Sequence, residues 1–183
     1  MLDVDEYIHL AFHARSTGKH HACLNYLNEA LRQQPENAVA LMLVASEHAD
    51  LGLTDRAIRE LIKAVTIDPG MEYARFQLGA LLLEKRRASE ARMHLNELLE
   101  SQDEALRGYS EAMLAIADTD YERARGKIAV GLTLHQTNLA LARFMKTLLE
   151  RLSKVDLTPG QPIAQEGADP LPRFLGAYRD VSS

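Results

Sequence analysis

The sequence has no tryptophan, one cysteine, four phenylalanines and six tyrosines among its 183 residues. The single cysteine, Cys23, excludes an intramolecular disulfide and any zinc site built on several cysteines. No apolar run reaches the length of a membrane span, and the N-terminal segment carries acidic residues where a signal peptide needs basic ones. We therefore expect a cytoplasmic protein without membrane insertion.

Basic charge is also scarce, because 21 Lys and Arg residues face 26 Asp and Glu residues, for a formal net charge of −5 at pH 7. Nucleic acids and anionic membranes need a basic face on their partner, so neither is expected as the main ligand. The composition is 46% hydrophobic and 26% charged, which is typical of a globular domain long enough to bury a core.

Motifs for catalysis are missing as well. The sequence contains no Gly-rich phosphate loop, nucleophile elbow or metalloprotease motif. His9 and His13 are four residues apart and could face one metal ion, but no carboxylate or cysteine pattern completes such a site. We expect no catalytic residues, no metal and no cofactor, and hence a protein that is not an enzyme.

The sequence does contain a repeat of 34 residues. Gly18 and Gly52 are separated by this distance, and so are Pro35 and Pro69. The small residues Cys23, Ala57 and Ala91 follow the same spacing, and the next copy is one residue shorter at Ala124. Each copy holds two segments with apolar residues three and four apart, which predicts a pair of amphipathic helices.

Polar residues predict where some of these helices begin. Asn37, Thr54 and Ser89 stand at expected N-cap positions. Two further segments, Ser101 to Glu104 and Thr119 to Glu122, have the spacing of a capping box. We therefore expect the hydroxyl groups of Ser101 and Thr119 to cap the helices that follow them.

A helix pair every 34 residues resembles the tetratricopeptide repeat family, over about residues 4–138. The matching positions are Tyr7, Gly18, Ala30 and Pro35 in the first copy, Ala45, Gly52, Ala57, Ala64 and Pro69 in the second, and Leu78, Gly79 and Ala91 in the third. The sequence departs from the family pattern at Arg75, Gly108, Glu111 and Gly131. The resemblance implies an all-α fold, a right-handed α-solenoid of antiparallel helix pairs.

The expected domain organisation follows from the repeat. We predict a solenoid over residues 1–152, with repeats at about 4–37, 38–71, 72–104 and 105–138 and a capping end helix over 139–152. Residues 153–183 contain four of the six prolines, and we expect an extended or flexible tail there.

The resemblance also implies that the first helices of successive pairs line a concave groove. The same offsets in each copy define an inward stripe, which also includes Asp5, Arg15, Val39, Ala49 and Leu106. The residues of the stripe that we predict to bind a partner are Ile8, Phe12, Met42, Ser46, Tyr73, Phe76, Ala80, Leu83, Tyr109, Met113 and Ile116. A helix needs only one apolar face to join a solenoid, so a second apolar stripe needs its own cover. Either an apolar peptide or helix of a partner binds this stripe, or neighbouring first helices bury part of it.

We therefore expect a non-catalytic adaptor that binds an apolar peptide or helix of another protein in the groove. The alternatives are a secretion-type chaperone for a client protein and a regulatory subunit of an enzyme or envelope assembly. The tail holds apolar residues of its own, Leu171, Phe174 and Tyr178, and self-binding of this segment in the groove is a further hypothesis.

Overall fold

The structure, a computed structural model, describes residues 2–154. The tail segment for which self-binding was predicted lies outside the described residues. Within them the chain forms helices and turns and contains no strand. The α-helices are α1 Val4–Ser16, α2 His20–Gln33, α3 Ala38–Asp50, α4 Thr54–Ile67, α5 Glu72–Glu84, α6 Ala88–Glu97, α7 Glu104–Ala117, α8 Tyr121–Thr133 and α9 Leu139–Leu152, and a 3-10 turn spans Leu98–Glu100.

The helices pack in consecutive pairs along the chain. The pairs are α1 with α2, α3 with α4, α5 with α6, and α7 with α8, and each second helix also contacts the first helix of the next pair. Helix α9 packs on α8 and buries one apolar face, which includes Phe144, Met145 and Leu148. The predicted all-α solenoid of helix pairs is confirmed.

The turn inside each helix pair uses the same backbone conformation. Gly18 and Gly52 have positive φ angles of 69° and 77°, and the corresponding residues of the third and fourth pairs, Arg86 and Thr119, have φ angles of 58° and 59°. Only glycine adopts this left-handed conformation without a steric penalty. The repeat thus fixes the turn geometry even in the two copies that lack the glycine.

Replacing Thr119 with glycine should therefore stabilise the protein, by about 1 kcal/mol. The substitution removes the steric cost of a β-branched residue in the left-handed region, and this gain exceeds the opposing entropy that glycine adds to the unfolded chain. Thr147 lies inside α9, and Thr147→Gly should destabilise the protein because glycine is a poor helix residue. Urea denaturation of both variants measures the effect, and a loss of stability in Thr119→Gly would contradict this interpretation of the turn.

The N-caps agree only in part with the sequence. The side chain of Asn37 accepts a hydrogen bond from the Ala40 N–H at 2.9 Å, as predicted. The predictions for Thr54 and Ser89 were wrong, because the N-cap residues of α4 and α6 are Leu53 and Arg87, whose side chains form no capping bond. The predictions for Ser101 and Thr119 were also wrong, because Asp103 caps α7 and Asp120 caps α8. In both cases a carboxylate stands closer to the first helical turn, where negative charge is favoured by the helix dipole.

The core of residues 2–154 consists of two apolar clusters. One includes Ile8, Leu27 and Val44 and holds the first helix pair against α3. The other extends from α3 to α9 and is much larger. Met42 is partly buried and packs against both clusters. The boundary between the two clusters therefore lies at α3, next to the concave side of the first three pairs.

A buried arginine takes the place of an aromatic residue of the family in the third pair. The guanidinium of Arg75 donates to the Pro69 carbonyl at 2.9 Å and forms an ion pair with Glu97 at 2.6 Å. His94 lies nearby, and burial together with the positive charge of Arg75 lowers the pKa of His94. Within the described residues, its buried Nδ1 atom has no hydrogen-bond partner.

The lowered pKa of His94 predicts a loss of stability in acid. Between this pKa and the ordinary histidine value of about 6.5, the unfolded chain binds a proton that the folded chain does not. Stability should therefore fall as the pH drops below about 6.5. The charged groups that act on His94 are Arg75, which lowers its pKa, and Glu97 and Glu90, which raise it. Urea midpoints at about pH 7.5 and about pH 5.5 should differ less in His94→Gln than in the wild type, and equal differences would contradict the prediction.

Candidate functional site

A groove of about 500 Å³ opens on the concave side of the first three helix pairs, where the two core clusters meet. Its walls come from α1, α3 and α5, and one end is closed by the beginning of α9. The lining residues are Phe12, Arg15, Met42, Leu43, Ser46, Gly70, Met71, Glu72, Tyr73, Ala74, Gln77, Asn138 and Ala140.

The lining is mainly apolar, with a few polar groups inside it. Phe12 leaves 48% of its surface exposed at α1, and Met42 lies partly buried opposite to it on α3. Ser46 donates to the Met42 carbonyl at 3.1 Å, and its hydroxyl also lies 3.4 Å from the amide oxygen of Gln77. Such a lining offers apolar contact together with polar groups that can orient a bound chain.

One wall of the groove is fixed by a hydrogen-bonded group around Asp103. The Tyr73 hydroxyl donates to Asp103 Oδ2 at 2.6 Å, and the Thr137 hydroxyl donates to the same oxygen. Burial acts to raise the pKa of Asp103, but the hydrogen bonds from Thr137, Tyr73 and the α7 backbone outweigh it and lower the pKa. Burial and the bond to Asp103 raise the pKa of Tyr73 to about 12. This group ties the segment before α9 to α5 and α7 and so holds the end of the groove in place.

The other wall is supported by a buried ionic cluster that joins the first and second pairs. Arg15 on α1 binds Glu47 at 2.6 Å and Asp50 at 3.0 Å, both on α3. His20 Nδ1 lies 2.8 Å from the second oxygen of Glu47, whose side chain is fully buried. The guanidinium thus places Phe12, one turn earlier on α1, at the edge of the groove.

This cluster has the composition of a metal site but already contains its own cation. His20, Glu47 and Asp50 lie close enough together to share a metal ion. Arg15 forms ion pairs with both carboxylates, and a metal ion would have to compete with it. Burial and the charge of Glu47 raise the pKa of the nearby Cys23 thiol to about 12, so the thiolate ligand is also disfavoured. The donor set fits a structural ionic cluster better than a metal centre.

The structure places the predicted partner-binding residues of the inward stripe in two different environments. Four of them, Phe12, Met42, Ser46 and Tyr73, line the groove together. The other seven do not line it and are buried: Ile8, Phe76, Ala80, Leu83, Tyr109, Met113 and Ile116. In the first group, Phe12, Met42 and Tyr73 therefore offer surface to a partner in this conformation, whereas Ser46 is itself buried.

The buried part of the stripe belongs to the packing of the solenoid. Ile8 lies in the smaller core cluster, and the other six residues lie in the larger one, which also contains the apolar face of α9. The ring of Tyr109 fills the space beside Gly131, where a Cβ atom would lie 2.6 Å from the ring. Its hydroxyl donates to Gln136 at 2.8 Å. At these seven positions, neighbouring helices bury the stripe.

Several residues that complete the groove were not predicted from the sequence. Gln77 lies one position after Phe76 on α5, outside the chosen offsets, and Asn138 and Ala140 come from the start of the end helix. The polar character of Gln77 between apolar neighbours was the only local signal. The contribution of α9 depends on the path of the whole solenoid and left no signal in the sequence.

Comparisons with known proteins agree with this fold. Residues 38–71 match the family model described as tetratricopeptide repeat. No curated protein matches the chain. None of the helices in residues 2–154 combines the length and the apolar content that crossing a bilayer requires.

Three solved structures share the architecture. A structure of Pseudomonas aeruginosa PilF is 20% identical with a TM-score of 0.63, over 80% of this chain and 67% of that one. A mutant O-GlcNAc transferase of Thermobaculum terrenum is 21% identical with a TM-score of 0.61, over 71% of this chain but 26% of the transferase. A double mutant of MamA from RS-1 is 18% identical with a TM-score of 0.59, over 82% of this chain and 88% of that one. At these identities the likeness shows the fold alone.

Proposed function

We propose that this chain is a protein-interaction adaptor of the tetratricopeptide repeat type that binds a short apolar segment of another protein, because residues 38–71 match the tetratricopeptide repeat model and helix pairs of the same kind pack along the chain. The binding site is the groove between α1, α3 and α5, with Phe12, Met42 and Tyr73 as its main apolar contacts. The site is smaller than the whole concave side, since the inward residues of the fourth pair are buried.

The observation that carries the proposal is the exposure of Phe12 beside a preformed apolar groove. A phenylalanine side chain gains substantial free energy when its apolar surface leaves water. About half of the Phe12 surface remains in contact with water in the free protein. An apolar side chain bound between Phe12 and Met42 would bury this surface. The groove volume of about 500 Å³ falls within the range of roughly 300 to 1,000 Å³ that is usual for ligand pockets.

The groove also suits recognition of a short segment with varied sequence. Met42 and Met71 have flexible thioether side chains, which adapt to apolar groups of different shape. Gln77 and Ser46 place an amide and a hydroxyl inside the groove, where they can bond to the backbone of a bound peptide. Apolar anchors would thus supply the affinity, and the polar groups would set the direction of the chain.

A secretion-type chaperone is the second candidate, because an adaptable methionine-lined groove also fits the exposed apolar segment of an unassembled client. Co-expression separates the two roles. A chaperone keeps one aggregation-prone protein in solution, whereas an adaptor joins two folded proteins. A regulatory subunit of an enzyme or envelope assembly would instead copurify with an activity that this chain lacks alone. Within this proposal, the tail residues Leu171, Phe174 and Tyr178 are a candidate intramolecular occupant.

Selection from a library of random short peptides tests the proposal without knowledge of the partner. Peptides are selected on the wild type and then compared on Phe12→Glu and on Met93→Glu. Met93 is a matched control, since it leaves 68% of its surface exposed on α6, outside the groove. We expect the selected peptides to contain two or more apolar residues and to lose binding only with Phe12→Glu.

Peptides that bind Phe12→Glu as well as the wild type would place the interaction surface elsewhere on the solenoid. Circular dichroism of both variants checks that the helical fold is retained. A carboxylate at the exposed position 12 leaves the buried contacts of α1 intact, so both variants should fold.

A further inference from the structure

We propose that residues 171–178 of the same chain occupy the groove between α1, α3 and α5 and compete there with the partner segment. This inference rests on the proposed function, because it takes the same groove as the binding site. It adds a regulatory element, in which the free protein covers its own apolar surface until a stronger ligand displaces the tail.

The position of α9 makes the groove accessible to the tail. Asn138 and Ala140, at the start of α9, line the groove, and the described chain continues through Leu152 to Lys154. Helix α9 has 14 residues and is about 21 Å long, so the tail has to return about this distance. The chain from Leu152 to Leu171 can span up to about 65 Å when extended. It is therefore long enough to return to the groove without disturbing α9.

The composition of the segment matches the groove. Residues 170–179 read PLPRFLGAYR and contain Leu171, Phe174, Leu175 and Tyr178 as apolar side chains. An aromatic residue at the centre of such a segment can pack between Phe12 and Met42, where the exposed apolar surface lies.

The charges of the two surfaces are complementary. The segment 170–179 contains two arginines and no acidic residue. Residues 2–120 contain 20 Asp and Glu residues against 12 Lys and Arg residues. This range includes every lining residue except Asn138 and Ala140. Glu72 and Arg15 both line the groove, and Arg15 is already paired with the carboxylates of Glu47 and Asp50. Opposite charges around an apolar contact favour this segment over an acidic one.

Covalent attachment lowers the affinity that the contact needs. A ligand joined by a short linker experiences an effective concentration on the order of millimolar. An intrinsic dissociation constant near one millimolar would thus leave the groove about half occupied. A partner segment has to displace the tail, so its apparent affinity falls in proportion to the occupied fraction.

A spin label in the tail tests this contact in the full-length chain. Cys23 is buried and has a raised pKa, so an added cysteine in Ala177→Cys can be labelled selectively. The methyl signals of Met42 and Met71 report on the groove, and Met93 on α6 reports on a surface outside it. We expect the label to broaden the signals of Met42 and Met71 more strongly than that of Met93.

Two controls decide the interpretation. Replacing Leu171, Phe174 and Tyr178 together with serine in the labelled chain should abolish the selective broadening. Equal broadening of Met42, Met71 and Met93 would overturn the proposal, and so would broadening that grows with protein concentration, which indicates the tail of a second copy.

Peptide binding separates this inference from the proposed function. The triple serine variant should bind selected apolar peptides about twofold or more tightly than the wild type, because about half of the wild-type grooves hold the tail. Equal affinity for the two proteins would overturn tail occupancy while the groove remains a binding site. Failure of both proteins to bind any apolar peptide would overturn the proposed function itself.

Discussion

Replacing Glu47 with alanine is expected to lower the free energy of unfolding by about 3–5 kcal/mol, the usual cost of breaking a buried ion pair. The Glu47 carboxylate is fully buried and binds Arg15 and His20, which belong to the two helices of the first pair. Without it, a guanidinium that is only 16% exposed keeps Asp50 as its carboxylate partner but loses the shorter ion pair. Urea denaturation followed by circular dichroism measures the loss.

Two controls test whether this loss comes from the buried charge. Asp118 pairs with Arg92 at the surface, and Asp118→Ala should cost about 1 kcal/mol or less. The double variant Arg15→Met and Glu47→Leu removes both charges, and we expect it to be more stable than Glu47→Ala alone. If the double variant is as unstable as the sum of its two single variants, the ionic coupling assigned to this cluster is contradicted.

Replacing Gly79 with valine should destabilise the protein by about 3 kcal/mol, the upper end of the usual cost of overpacking. Gly79 lies on α5 against Leu95 of α6, and a Cβ atom at position 79 would lie only 2.7 Å from Cγ of Leu95. Leu95 is completely buried and cannot turn away from the added atoms. The third helix pair would therefore have to separate, and a lower thermal midpoint would report it.

Gly126 provides the matched control on α8. A Cβ atom there meets no described atom within 4 Å, so Gly126→Val tests the same substitution in a helix without a steric clash. We expect its stability to change by about 0.5 kcal/mol or less. Equal destabilisation of the two variants would show that the loss at position 79 reflects helix propensity and not the close approach of α5 and α6.

The helix pairs could be predicted from sequence because each requires particular residues at fixed places. The turn inside each pair needs a residue with a left-handed backbone conformation, and glycine occupies this position in the first two pairs, at Gly18 and Gly52. The close contact between helices needs a very small residue, which Gly79 supplies in the third pair. These are local requirements that repeat every 34 residues, so one sequence shows them without an alignment.

The extent of the groove could not be predicted in the same way. Phe12 and Tyr109 fall on the same predicted stripe, but the first is half exposed and the second is buried against Gly131. What separates them is the distance between helices and the position of α9, which depend on packing along the whole solenoid. Repeat offsets locate a face of each helix, whereas neighbouring elements decide whether that face remains open.

The N-caps show a smaller limit of the same kind. Ser101 has the spacing of a capping box, yet its hydroxyl lies 2.8 Å from Glu72 and accepts from the backbone N–H of Asp103. Asp103 caps α7 and also binds Tyr73 at the groove wall. The two roles of Asp103 are difficult to predict from sequence, because its second hydrogen bond involves Tyr73, 30 residues away.

Calorimetric titration of a selected apolar peptide into the wild type, Phe12→Glu and Met93→Glu tests the central claim most directly. The groove model predicts that Phe12→Glu weakens binding by about tenfold or more, equivalent to about 1.4 kcal/mol, because a carboxylate would be buried without a partner in the complex. It predicts no change for Met93→Glu, since Met93 lies outside the groove. Equal affinity of all three proteins would contradict the assignment of the groove between α1, α3 and α5 as the binding site.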